Sequence, residues 1–457
     1  MLVVKFGGTS VGDSHSFKNV ATIVEQAIVR CGDGLLVVLS AMAGVTNLLI
    51  NGANQALDQN LNESCQTIEL IRQKHELVIN ELFLATIYKQ ELDSILDNYL
   101  KELFILYQGI SYLGELSAKS LDNISKYGEL LSSSIFYRYL LRLNLKVDYL
   151  DVREVLITDN SYSKANPLMS EINLKVFDKV IPLFKSTPIV VTQGFIGATQ
   201  SGSTTTLGRG GSDYSAAILG LALRAQAIEI WTDVDGMMTC DPRVVPNATV
   251  IDEVSFEEAS ELAYFGAKVL HPLTIRPAVD NNIPVKILNS KNPTHKGTLI
   301  SNSVNSDLDK SLIRAIAFKT GITAIFVSSP KMLMAYGFLA KVFAVFEKYQ
   351  TSIDLITTSE VSVALTIDNK ASIKQIIDDL STLADVCVKE NLAIVTVVGK
   401  YFRNQAGTAG YVFESLKNIN ILMISGGASD INLSFVVNDN DVKPAVKLIH
   451  DKFFAKT

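Results

Sequence analysis

No proline occurs before Pro167, and from Ala53 to Gln108 there is no glycine either. Those two residue types break helices, so nothing in this stretch interrupts a helical pattern. No apolar run reaches the roughly 18 residues that a membrane span needs. The amino terminus lacks the basic and apolar regions of a signal peptide. A cytoplasmic protein without a membrane partner is expected. Cys31, Cys65, Cys240 and Cys387 are scattered, with neither zinc-ligand nor redox spacing, and read as buried thiols. The five histidines form no ligand pattern, so no metal site built from the chain's own residues is expected. There is no long basic run, and 41 basic against 47 acidic residues leave a net charge of −6. That balance speaks against nucleic acid as a partner.

What is present suffices for a large core. The chain has 457 residues, 48% of them apolar and 19% charged, which suggests two or three units. Inside the block free of glycine and proline, ESCQTIELIRQKHELVINELF and SILDNYLKELFILYQGISYL carry apolar residues at helical spacing. Around it lie short β-rich runs: LVVKF, GLLVVLSA, KVDYLDV, TPIVVTQGFIG, AIEIWTDVDG and IPVKILN. They alternate with helical segments such as SDYSAAILGLALRA. Near-continuous apolar strands separated by helices predict an α/β fold, a largely parallel sheet sandwiched by helices.

The texture changes at SNSVNSDLDKS, a polar linker. After it, one βαββα rhythm runs twice, first from LIRAIAFKTGITAIFV to SIKQIIDDLSTL, then from LAIVTVVGK to VKPAVKLIHDKFF. Two copies of a small α+β module are expected. The predicted division is 1–301 for the working part and 302–457 for a regulatory part, with modules at about 312–388 and 389–457.

Three segments carry chemical signals. In MLVVKFGGTS, Gly7 and Gly8 let main-chain N–H groups approach a ligand beside Lys5. A helix starting near Ser14 would aim its positive end at the same place. GGTSVGDS misses the P-loop pattern, because Asp13 stands where that motif needs lysine. In TLGRGGSDYSAAILG, Arg209 lies among Gly208, Gly210 and Gly211, and Ser212 or Asp213 stands where a helix cap belongs. Arg209 can hold a carboxylate or phosphate through paired hydrogen bonds. WTDVDGMMTCDPR places Thr232 and Asp233 at a strand's carboxyl end, where α/β sheets bind ligands. Arg243 and Lys268 offer cations to a polyphosphate. By residue chemistry alone, SAMAGVTN reads as a polar loop, and Glu129 of KYGELL as a helix-dipole partner.

KFGGTS, SAMAGVTN, YGE, GFIG, TLGRGGSD, WTDVDG, DPR and FGAKVLHP, in this order, closely resemble the aspartate kinases of the amino-acid kinase superfamily. The duplicated tail resembles that family's paired ACT modules. The resemblance spans essentially the whole chain. It implies the amino-acid kinase fold and transfer of the γ-phosphoryl group of MgATP to the side-chain carboxylate of L-aspartate. The product is 4-phospho-L-aspartate, on the route to lysine, methionine and threonine.

Carried over by position, Lys5 would contact the transferring phosphate with Gly7 and Gly8 nearby, and Asp213 would orient Lys5. Arg209 would hold the aspartate α-carboxylate and Glu129 its ammonium group. Ser40, Thr46 and Ser212 would complete the pocket, with Phe195 as a wall. Thr232, Asp233, Arg243 and Lys268 would bind ATP. Met238 stands where the family pattern has an aromatic residue, and its thioether can cover an adenine face. Mg²⁺ would arrive bound to the nucleotide.

GFLAKVFAVFEKYQTSIDLITTSE resembles the effector segment of lysine-inhibited, monofunctional members. The implied L-lysine contacts are Met332, Gly337, Phe338, Leu339, Ile353, Asp354, Thr358, Ser359 and Glu360. Asp354 and Glu360 would answer the two ammonium groups, while Ala335 replaces an expected polar residue. A homodimer through the ACT modules is expected, with assembly to a tetramer left open. With no dehydrogenase segment after Thr457, a monofunctional member is expected rather than a bifunctional aspartate kinase–homoserine dehydrogenase. Two other readings remain open at this stage: a glutamate or acetylglutamate kinase of the same superfamily, and a sensor that kept the fold without turnover.

Overall fold

The computed structural model describes residues 1–32, 34–84, 86–266, 274–302, 313–332, 336–399, 402 and 406–454. Two compact units emerge. The first comprises Met1–Met237, Asp252–Phe256 and Val269–Val304; the second comprises Met238–Ile251, Glu257–Lys268 and Asn305–Thr457.

The first unit is built on an eight-stranded sheet in the order Val147–Leu150, Ile189–Gln193, Leu35–Leu39, Leu2–Phe6, Ala227–Thr232, Val285–Asn289, Thr298–Ile300, Glu253–Val254. Its first six strands are mutually parallel, as the apolar runs predict. Leu2–Phe6, Leu35–Leu39 and Ile189–Gln193 are buried at every position, because helices cover both faces. The edge departs from this pattern: Thr298–Ile300 returns antiparallel to Val285–Asn289. Ile157–Thr158, Ile196–Thr199 and Thr204–Thr206 form a separate small sheet.

The block free of glycine and proline folds as expected into the helices Leu61–Leu82 and Ile87–Leu113. Beside them lies Ala118–Arg142, buried on nearly all sides from Tyr127 to Phe136. Gly128 permits this burial, since a Cβ there would lie 2.7 Å from the Ala41 methyl. Close approach of helix and loop at this point prepares the site.

The second unit carries a six-stranded antiparallel sheet in the order Ile356–Thr358, Ser362–Ile367, Ala315–Ser328, Asp385–Val398, Asn432–Asn438, Met423–Gly426. Both modules are present, but they are nested rather than successive. Ala315–Ser328 is one long strand with register shifts between Lys319 and Ala324. Ile313 and Ile316, before the shifts, pack with Val395, Val437 and Ile449. Ile325 and Val327, after the shifts, pack with Val342, Leu365 and Ile376. The start of the strand therefore belongs to the core of the second module, and its end to the first. The sheet's two edges approach each other, with Thr357 Oγ1 donating to Ile424 O at 3.0 Å.

Two further expectations are corrected. Only Cys240 is a buried thiol; Cys31 is half-buried, and Cys65 and Cys387 are exposed, on the outward faces of a helix and a strand. The loop after Arg209 is capped by neither Ser212 nor Asp213. Gly210, at φ 72°, takes the N-cap position of the helix Gly211–Ala222, and both polar residues lie in its first turn. Residues 303–311 of the linker lie outside the described residues.

Candidate active site

Parallel pairing lines up the carboxyl ends of the strands, and the loops leaving them meet at one edge of the sheet. Lys5 stands next to last in the first strand, Ser40–Gly44 follows the second, and Gly194–Phe195 follows Gln193. A cavity of about 390 Å³ opens there. Its walls bring together Lys5, Gly8, Ser40, Thr46, Glu129, Phe195, Arg209, Ser212 and Asp213. Sequence segments far apart in the chain thus form one pocket.

Lys5 and Asp213 make its fixed ion pair. Lys5 Nζ lies 2.6 Å from Asp213 Oδ1, and both side chains are nearly buried. Gly7 and Gly8 pass beside this pair. Gly7 N donates to Trp231 O at 3.0 Å, and a Cβ on Gly8 would lie 2.8 Å from Ala41 O. Ala43 N donates to Gly8 O at 3.1 Å, locking the two loops together. The helix Ser14–Cys31 does not leave its end open here, because the Asp13 carboxylate caps Ser16 N at 2.7 Å. A 3₁₀ turn, Gly8–Val11, precedes it instead.

Glu129 occupies the opposite wall. Its Oε1 accepts from Ala41 N at 3.2 Å, while Oε2 is buried without a partner. Burial raises its pKa to about 8, against the pull of the Ala41 amide. A carboxylate in this state lacks a cation. Arg209 is exposed at the rim, and no ion pair to its guanidinium occurs among the described residues. Phe195, at φ 66°, is held by Ser215 Oγ on its N–H and by Leu207 N on its carbonyl. Gly211 accommodates it, because a Cβ there would sit 2.6 Å from the Phe195 ring. The N-cap Gly210 supplies no side chain to cap the helix, and Gly211 N turns back to donate to Gly208 O at 3.0 Å.

The proposed nucleotide residues are only partly gathered. Thr232 and Asp233 lie at the carboxyl end of the strand beside Leu2–Phe6, with Thr232 Oγ1 3.3 Å from Asp233 Oδ1. Met238 and Arg243 fall in the other compact unit, and the exposed Arg243 is held by Asp241 at 2.6 Å. Lys268 lies outside the described residues.

The effector residues divide by environment. Met332, Phe338, Leu339 and Ile353 pack against the core of the first module. Gly337, at φ 75°, starts the helix Phe338–Lys348. Thr358, Ser359 and Glu360 are exposed, and Ser359 Oγ lies 2.7 Å from Ser362 Oγ. Asp354 is matched on one oxygen: Lys319 Nζ lies 2.9 Å from its Oδ1, and the Tyr264 hydroxyl donates to the same oxygen at 3.1 Å, while Oδ2 is buried with no partner among the described residues. Burial pushes the Asp354 carboxyl up, opposed by Lys319. Ala335 lies outside the described residues.

The sequence reading missed some members of the site. Met42 and Asn47 line the cavity. Asn47 was visible as the last residue of SAMAGVTN, directly after Thr46. Ser290, outside the cavity lining, had no signal either; it braces the strand end at Thr232, its Oγ 2.7 Å from Ser10 Oγ and its N–H donating to Thr232 O at 2.9 Å. That contact depends on pairing between distant strands.

The chain is similar to known proteins along nearly its whole length. Residues 1–289 match the amino acid kinase family, and residues 395–453 match an ACT domain. Lysine-sensitive aspartokinase 3 of Escherichia coli (strain K12) is 39% identical over 470 residues, covering 99% of this chain and 99% of that protein. The chloroplastic aspartokinase 2 of Arabidopsis thaliana is 34% identical, covering 99% of this chain and 84% of that protein. Among solved structures, E. coli aspartokinase III in complex with aspartate and ADP (R-state) superposes with a TM-score of 0.84, at 38% identity, over 99% of this chain and all of that one. The same enzyme in complex with lysine and aspartate (T-state) gives 0.81, at 38% identity, covering 99% of each chain.

Proposed function

The chain belongs to the aspartokinase family, a group of phosphotransferases acting on aspartate, and from that premise we propose residue roles for its cavity. One observation carries the reading. The cavity joins a cation, Lys5, to an Arg209 and a buried Glu129 Oε2 that have no partner among the described residues. An α-amino acid satisfies both ends at once. Its α-carboxylate pairs with Arg209, and its ammonium group with Glu129. Ser40, Thr46 and Ser212 border the ligand, and Phe195 walls it.

The side-chain carboxylate of aspartate is ionised at neutral pH, so the attack needs no general base. A carboxylate oxygen bonds to the γ-phosphorus of ATP as the bond to the β,γ-bridging oxygen breaks, giving 4-phospho-L-aspartate and ADP. The obstacle is repulsion between two anions. Lys5, held in place by Asp213, answers the charge on the moving phosphoryl group, and the Gly7–Gly8 main chain lets phosphate approach. Thr232 and Asp233 border the nucleotide. Their hydroxyl and carboxylate oxygens are the hard donors that suit Mg²⁺. The ion, when bound with ATP, supplies charge neutralisation on the phosphates.

Residues 1–301 serve catalysis and 302–457 regulation in this proposal, with L-lysine as inhibitor and the cytoplasm as compartment. Asp354 is the effector carboxylate, so an incoming ammonium group must displace or share Lys319 there. Exposed Ile356 and Ile424 on the edge strands support dimerisation through the ACT sheet, with the dimer or tetramer to be read from solution mass. The test is ATP-dependent acyl phosphate formation, trapped as hydroxamate, with aspartate or glutamate and with or without lysine. Aspartate-dependent product that lysine suppresses is expected. Equal rates with glutamate would overturn the substrate assignment, and insensitivity to lysine the effector assignment.

A further inference from the structure

The helix Ala118–Arg142 bears on the cavity at two points, one direct and one through a loop. Glu129 enters it directly. Two turns earlier on the same face, Asp122 is 1% exposed and does not line the cavity. Its carboxylate is nonetheless fully engaged. Oδ2 accepts from Ser163 N and Thr206 N, each at 2.9 Å, and Oδ1 accepts from Thr206 Oγ1 at 2.7 Å. All three donors belong to the support of one loop, the segment Leu207–Gly211 that carries Arg209.

The surrounding geometry shows how that support is transmitted. Thr206 ends the strand Thr204–Thr206, and its carbonyl accepts from Ala165 N at 2.9 Å. Ser163, in the left-handed region at φ 70°, is a conformation that needs an external anchor. Gly208 then lies against that anchored turn, with the site of its missing Cβ 3.1 Å from Ser163 O. Asp122 thus fixes both the entry to the arginine loop and the turn on which the loop rests.

We propose that Asp122 is a positioning residue for substrate binding, setting Arg209 at a fixed distance from Glu129 because both are referred to one rigid helix. The span matters because an α-amino acid presents its carboxylate and ammonium groups on one carbon. Asp122 touches no substrate and acts through the loop. This inference rests on the assignment of Arg209 to the α-carboxylate.

The experiment is steady-state kinetics on full-length Asp122→Asn, Thr206→Val, Arg209→Ala and Asp122→Asn/Arg209→Ala. The amide keeps the shape but sets an N–H against the main-chain donors, so the KM for aspartate should rise about tenfold. The kcat and the KM for ATP should hold. Thr206→Val removes one donor, should shift the aspartate KM less in the same direction, and decides the matter should Asp122→Asn not fold. The double variant should bind aspartate no worse than Arg209→Ala, since a loop without its arginine has nothing left to position. An unchanged aspartate KM in Asp122→Asn and Thr206→Val, beside a raised one in Arg209→Ala, overturns the proposal and spares the pocket assignment. Full additivity in the double variant does the same. An unchanged aspartate KM in Arg209→Ala overturns both.

Discussion

Lys5 Nζ stands 2.6 Å from Asp213 Oδ1, joining the carboxyl end of a central strand to the first turn of the helix Gly211–Ala222. The pair is almost dry, so the charge of Lys5 is fixed in position before any phosphate arrives. Preorganised charge of this kind lowers the cost of bringing a triphosphate towards a carboxylate. In Lys5→Ala, kcat should fall by about a hundredfold or more, whereas the aspartate KM should change little. Stopped hydroxamate assays over both substrates measure this split; wild-type turnover in the variant would remove Lys5 from the chemistry.

Glu129 predicts a pH dependence with a definite sign. Its pKa is raised to about 8 by burial, so the free protein carries it protonated at lower pH. An ammonium ligand binds the ionised form, and aspartate affinity should therefore rise with pH up to about 8 and then level off. Calorimetry in buffers of different ionisation heat should detect proton release on binding at pH 7. Glu129→Gln should bind weakly with no such slope. A wild-type affinity that falls between pH 6 and 8 would contradict the assignment.

Gly8 tests the close approach of main chain to main chain. An added Cβ would meet Ala41 O at 2.8 Å, a backbone atom that cannot rotate away. Gly8→Ala should push apart the loops that carry Lys5 and Ser40, lowering kcat/KM about tenfold or more while the melting temperature drops by a few degrees. Parallel assays and thermal melts separate the two effects, and an unaffected kcat/KM would place the site elsewhere.

Regulation gives a prediction that runs against simple loss of function. Lys319 pairs with Asp354 at 2.9 Å and with Asp368 at 2.7 Å. It occupies the carboxylate that an effector ammonium group would need. Lys319→Met should therefore sharpen inhibition, lowering the half-inhibitory lysine concentration several-fold, and Asp354→Ala should abolish it. Lysine titrations of activity measure both; weaker inhibition in Lys319→Met would show that Lys319 helps the effector rather than competing with it.

Much of this was legible in the sequence, for reasons that differ from place to place. Buried parallel strands leave continuous apolar runs, so LVVKF and its neighbours could be located without ambiguity. Arg209 stood out because a charge between glycines has little structural use; Asp213 read by residue type as a helix cap, and only the family resemblance set it beside Lys5. Glu129 did not stand out by residue type: on a helix buried nearly all round, one more polar residue resembles a dipole partner, and only the family resemblance singled it out. Ser290 and Asp122 were silent because their partners, Ser10 and Thr206, lie far away in the chain. The nesting of the ACT modules escaped notice because Ala315–Ser328 reads as one strand and changes partners midway. The cap at Gly210 was missed because side-chain capping was expected, where the fold uses a glycine in the left-handed region.

A crystal structure with aspartate and a non-hydrolysable ATP analogue bound tests the central claim most directly. The account predicts the aspartate ammonium group on Glu129 Oε2, its α-carboxylate on Arg209, and the terminal phosphate against Lys5 and the Gly7–Gly8 main chain. Aspartate bound outside this cavity, or a triphosphate remote from Lys5, would contradict it.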